Sequence, residues 1–139
     1  MATVNTYLNF NGNTEEAFNF YKSIFGGEFI TVQRYKDSPG CDEMKTEDLN
    51  KLMHIALPVG GNILMGTDIT EPMPNVIFGT AVSLSVDAES EEEARKLYNG
   101  LVEGGKATIP LEKTFWGAFF GMLTDKFGIH WMINYDYKL

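Results

Sequence analysis

The chain has 139 residues, 44% of them hydrophobic, with ten phenylalanines, six tyrosines and a net charge of −8. That length and apolar content suit one folded domain with its own core and argue against disorder, while the acidity argues against nucleic acid and anionic membrane surfaces as partners. A single cysteine, Cys41, excludes an internal disulfide and any multi-cysteine zinc or iron–sulfur centre; with no secretory leader and no run of about 20 apolar residues, a soluble cytoplasmic protein is expected.

In chain order, Leu8 and Phe10 alternate with polar neighbours as on a half-buried strand. Asn13, followed three positions later by Glu16, signals a capped helix start, and Ala17, Phe20, Tyr21, Ile24 and Phe25 then recur at helical spacing until Gly26-Gly27. "EFITVQRY" reads as a strand. The polar stretch "KDSPGCDEMKTEDLN" reads as a mobile surface loop in which Cys41 is an exposed bystander, and "KLMHIALPVGGNILMG" reads as a hairpin of two apolar strands. A connector with Pro72 and Pro74 follows.

From Leu84 the plan repeats about 77 positions after its first appearance: an alternating strand with Leu84 and Val86, a capping pair Ser90 and Glu93, a helical stripe of Ala94, Leu97, Tyr98, Leu101 and Val102, then Gly104-Gly105. Strands "ATIPLEK", "WGAFFGMLTD" and "GIHWMINY" close the second copy. The expected architecture is α+β: one domain of two βαβββ modules, about 1–70 and about 80–139, joined by a linker at about 69–79. Their mixed sheets are expected to curl around a cleft with the helices outside.

The segments "YLNFNGNTEEAFNFYKSIFGGE", "HIALPVGGNILMGTD" and "DKFGIHWMIN" resemble the vicinal oxygen chelate superfamily, also called glyoxalase/bleomycin resistance/dioxygenase, and within it the PhnB-like subgroup. The resemblance covers nearly the whole chain and implies the paired βαβββ fold and a homodimer. It does not define one reaction, because the superfamily includes isomerases, dioxygenases, thiol transferases and non-catalytic drug binders.

The superfamily's metal enzymes hold a divalent ion with one side chain from the first and one from the last strand of each module. Carried over by spacing from Gly61 and Gly128, the last-strand positions are Met65 and Met132; the first-strand positions fall near Asn5 and Ala81. Thioethers, an amide and a methyl group are poor ligands for a hard cation, so no cofactor and no metal at that place are expected. With Met65 and Met132 facing the cleft, alternation turns Tyr7, Asn9, Ile63, Ser83 and His130 inward, with Trp116 and Phe120 nearby. These nine residues are the expected ligand-binding set, and their apolar walls with a few polar groups suit a flat or flexible small organic molecule.

His54, also inward, and His130 are the candidate catalytic residues, since imidazole exchanges protons near neutral pH. The alternative function is a metal-dependent lyase, isomerase or dioxygenase whose nonstandard site uses these two histidines with Asp68, Glu112 or Asp125. No close histidine spacing signals such a site. "GGNILMG" lacks the pattern of a phosphate-cradling loop, and no glycine-rich cofactor turn supports methyl transfer.

Overall fold

The computed structural model describes residues 1–137. The chain forms two compact units, the first Met1–Ile77 and the second beginning at Phe78. The first contains β1 (Thr6–Phe10), α1 (Thr14–Phe25), β2 (Thr31–Arg34), β3 (Leu52–Val59) and β4 (Asn62–Asp68); the second contains β5 (Leu84–Asp87), α2 (Glu91–Val102), β6 (Lys106–Lys113), β7 (Ala118–Thr124) and β8 (His130–Asp136). Each unit is therefore one βαβββ module. The strand orders are β1-β4-β3-β2 and β5-β8-β7-β6. In both sheets the first strand pairs parallel with the last, and the remaining pairs are antiparallel. Among the described residues no helix is long and apolar enough to cross a membrane.

Each helix covers one face of its own sheet, and a strand glycine sets how closely it packs. In the first unit the buried seam of α1 is Thr14, Ala17, Phe18 and Tyr21. Phe18 is completely buried, whereas Phe20, Ile24 and Phe25, expected in the seam, are only half-buried. Phe18 fits there because of Gly66 on β4: a Cβ at that position would lie 2.5 Å from Phe18 Cε1, so the missing side chain makes room for the ring. In the second unit Ala94, Leu97, Tyr98 and Leu101 are buried as expected. There Gly121 on β7 admits Tyr98, and a Cβ at Gly121 would lie 2.8 Å from Tyr98 Cε2 and 2.9 Å from Leu111 Cα.

The two helix starts differ. Ser90 Oγ accepts from the Glu93 amide at 3.0 Å, and Glu93 Oε1 accepts from the Glu89 amide at 2.9 Å, which is the self-contained cap expected from sequence. Asn13 occupies the cap position of α1 but makes no side-chain cap bond. The helix is capped from a distance: Asp68, at the end of β4 and 2% exposed, accepts from Thr14 N at 3.0 Å and Thr14 Oγ1 at 2.6 Å, and its other oxygen accepts from Leu52 N on β3 at 2.8 Å. One carboxylate thus ties α1, β3 and β4 together. After α1, both Gly26 and Gly27 take positive φ; after α2 only Gly104 does, and Gly105 is instead required because a Cβ would strike the Thr124 carbonyl.

The insertion between β2 and β3 is more ordered in its bonding than a plain loop. It contains three single-turn 3-10 helices, Tyr35–Asp37, Cys41–Glu43 and Thr46–Asp48, and Lys36 N donates to Leu49 O at 2.9 Å. Asp48, 7% exposed, pairs with Lys51 at 2.7 Å.

Candidate functional site

With one sheet face under a helix, the chemistry available to each unit lies on its other face. In the first unit the register sets Tyr7 beside Met65, Met65 beside Ala56, and Ala56 beside Thr31; one step along, Asn9 lies beside Thr67 and His54 beside Gln33. Tyr7, Asn9, Ile63, Met65 and His54 therefore share this face, as alternation from the sequence requires. Leu8, Leu64 and Ile55 point to the helix side. None of the residues on these rows is charged.

Tyr7 Oη and His54 Nδ1 lie 3.1 Å apart, with ring centroids separated by 5.6 Å. The two residues approach diagonally across β4, and Tyr7 remains 45% exposed. Partial burial raises the Tyr7 phenol above its ordinary value, a hydrogen bond with Thr67 opposes that rise, and the neighbouring Tyr35 adds to it. Tyr7 therefore stays protonated and is available to donate to Nδ1 at neutral pH. Among the described residues, His54 Nε2 has no hydrogen-bond partner.

The second unit's helix-free face is different. Ser85 lies beside Met132, Met132 beside Met122 and Met122 beside Ile109; the next row is Asp87, Asn134, Phe120 and Glu112. Asn134 Nδ2 donates to Asp87 at 3.3 Å and Asp136 at 3.2 Å. Trp116 sits in the β6–β7 turn, 60% exposed, its ring 6.1 Å from that of Phe120. Met132, Phe120 and His130 share this face as expected. Ser83 lies one residue ahead of β5, and its neighbour Val82 is 71% exposed, because the strand begins only at Leu84.

His130 is held at both ring nitrogens. Nε2 donates to the Gly79 carbonyl at 2.6 Å, and Nδ1 lies 2.8 Å from Thr124 Oγ1. A carbonyl can only accept, so the proton is on Nε2, and in the neutral ring the threonine hydroxyl donates to Nδ1. His130 thereby fastens the segment before β5 to β7 and β8. His54 belongs to the first unit and His130 to the second.

The positions at which this fold's metal enzymes place their ligands do not fit a hard divalent ion. Met65 and Met132 offer thioethers, Ala81 offers no donor, and Asn5 Oδ1 already accepts from Ile63 N at 3.2 Å, prolonging the β1–β4 pairing. The carboxylates considered with the histidines are committed elsewhere or exposed. Asp68 caps α1; Asp125, 3% exposed, accepts from Phe127 N at 2.8 Å, Ile129 N at 3.0 Å and Trp131 Nε1 at 2.9 Å; Glu112 is exposed on β6. Among the described residues no three His, Cys, Asp or Glu side chains are grouped to hold a metal.

The Tyr7–His54 bond itself was not legible in the sequence. Alternation turns both side chains to one face, but only the strand order, with β4 between β1 and β3, brings residues 47 positions apart into contact.

Comparison with known proteins gives the lineage. The family described as 3-demethylubiquinone-9 3-methyltransferase matches residues 2–134. The solved structure of PA1353 from Pseudomonas aeruginosa is 39% identical, with a TM-score of 0.87 over 99% of this chain and 100% of that one. The PhnB protein of Bacillus cereus is 31% identical, with a TM-score of 0.79 over 96% and 99%. A glyoxalase/bleomycin resistance protein/dioxygenase family enzyme from Burkholderia phytofirmans shares the fold at 17% identity, with a TM-score of 0.60 over 95% and 98%. The chain therefore belongs to the PhnB-like family described as 3-demethylubiquinone-9 3-methyltransferase and has the glyoxalase/bleomycin resistance fold.

Proposed function

We propose that this protein binds a small, flat organic molecule on its helix-free sheet surfaces and has lost the metal site from which its fold's enzymes work. The observation that carries this is the pair Met65 and Met132. Each occupies the last-strand position of its module, each is only half-buried, and the cross-strand neighbours are Tyr7 and Ala56 for Met65 and Ser85 and Met122 for Met132, with no carboxylate among them. Polarisable thioethers beside aromatic rings suit a planar apolar ligand, and Tyr7, Asn9, Ser83 and Ser85 supply hydrogen bonds at its edge. Methyl transfer finds no support in these elements: each sheet has a single parallel pair, and the link from β1 to α1, Asn11-Gly12-Asn13, is not a glycine-rich cofactor loop. The single cysteine supports a cytoplasmic setting. Exposed apolar side chains such as Ile30, Val32, Ile77 and Phe115 support a homodimer, for which sedimentation must give twice the chain mass.

A thermal-shift screen with flat aromatic fragments tests the binding function, since a ligand bound only by the native state raises the melting temperature. Stabilisation by such fragments is expected, and Met65→Trp with Met132→Trp should remove it. No stabilising fragment, or stabilisation that survives both substitutions, overturns it. Titration with zinc, nickel, manganese and iron should give no stoichiometric complex; a metal bound at one equivalent per chain and lost in His54→Ala or His130→Ala would overturn the absence of a metal site.

A further inference from the structure

We propose that His54 is a ligand-binding donor, positioned by Tyr7, and that it selects a neutral carbonyl group: the ligand is an aryl ketone, quinone or amide and not a carboxylate. This rests on the flat-ligand function above and names the chemical group that the first unit's face recognises.

The proposed arrangement has Tyr7 as the donor: its protonated hydroxyl lies 3.1 Å from His54 Nδ1, which accepts. A neutral imidazole has one proton, so it resides on Nε2. No described residue accepts it, in contrast to His130, whose Nε2 proton is taken by the Gly79 carbonyl. His54 thus offers a directed N–H on a face where Met65 and Ile63 supply the apolar contact.

Charge decides the class of acceptor. The rows around His54 carry no lysine or arginine, and the nearest basic side chain in the sequence of β2, Arg34, is bound to Glu15 at 2.7 Å and to the Asn50 carbonyl at 2.8 Å. A carboxylate placed there would give up its hydration without a compensating charge, in a chain of net charge −8. A carbonyl oxygen loses far less and needs only one donor.

Three probes of one shape test this by calorimetry on the full chain: 2-acetylnaphthalene, 2-isopropylnaphthalene and 2-naphthoate. The ketone should bind about five-fold more tightly than the hydrocarbon, the ratio corresponding to one net hydrogen bond, and 2-naphthoate should bind no better than the hydrocarbon. His54→Leu should abolish the ketone's advantage, and His54→Gln, whose amide nitrogen reaches the place of Nε2, should restore most of it. Tyr7→Phe should reduce the advantage, and long-range proton–nitrogen NMR should show His54 changing from the Nε2–H tautomer alone to a mixture. Equal affinity of ketone and hydrocarbon, or a His54 ring protonated only on Nδ1, overturns the donor; tightest binding of 2-naphthoate overturns the carbonyl. Failure of all three probes to bind anywhere overturns instead the flat-ligand function on which this rests.

Discussion

The two units share a topology and differ in what they build on it. Register equates Tyr7 with Ser85, His54 with Phe120 and Gln33 with Glu112, because each lies in the same row relative to Met65 or Met132. The first unit's face is therefore uncharged, with a phenol–imidazole pair, and the second unit's face is aromatic with an acidic rim. Their cores differ in the same manner. The gap that admits the helix aromatic is at Gly66 on β4 in one unit and at Gly121, on the neighbouring strand β7, in the other. A duplicated backbone thus fixes where side chains stand, and the residue chosen at each place decides between hydrogen bonding, stacking and packing.

The sharpest test of that contrast in anchoring is Asp68→Ala. It strands the buried Thr14 and Leu52 amides and the Thr14 hydroxyl, and should cost roughly 3–5 kcal/mol in urea unfolding, at about 1–3 kcal/mol for each donor left without a partner. A loss below about 1 kcal/mol would show that α1 does not depend on β4 for its start. Next come the glycines: Gly66→Ala should destabilise by about 1–3 kcal/mol through overpacking against Phe18, and Phe18→Leu in the same chain should recover much of the added strain. Gly121→Ala should resist such rescue by shortening Tyr98, because the backbone of Leu111 is as close as that ring.

Smaller effects separate the helix caps. Ser90→Ala should cost about 1 kcal/mol, and Asn13→Ala less than about 0.5 kcal/mol, since only the serine makes a side-chain cap bond. Smallest is a pH effect from Tyr7. Its phenol titrates above the ordinary value of 10.0, so between that pH and its folded-state pKa the unfolded chain has lost the proton and the folded chain keeps it. Stability is complete below pH 10.0 and falls as pH rises through that window. Tyr7→Phe should remove this part of the alkaline loss in unfolding curves taken across the window.

Much of the fold was legible because the signals were local and repeated. Leu8 with Phe10 and Leu84 with Val86 announce strands, and the Ser90–Glu93 cap forms where it is expected. The cap at Asn13 failed for a nonlocal reason: Asp68, 54 residues from Thr14, reaches the Thr14 amide with a buried carboxylate. Phe18 was missed because the helical stripe does not reveal a glycine on a facing strand. In the candidate site, alternation correctly grouped Tyr7, Asn9, Ile63, Met65 and His54 on one face. It could not tell that His54 meets Tyr7 through Nδ1 alone while His130 spends both nitrogens on Gly79 and Thr124, since Gly79 lies 51 residues from His130.

The most direct measurement is a methionine-methyl carbon NMR titration with 2-acetylnaphthalene, each of the seven methionines assigned by substitution. A ligand seated on the first unit's uncharged face must produce a saturable shift at Met65, and Tyr7→Phe must weaken the binding that the titration reports. Saturation that leaves Met65 unmoved while Met73 or another exposed methionine shifts would place the molecule elsewhere and contradict the account.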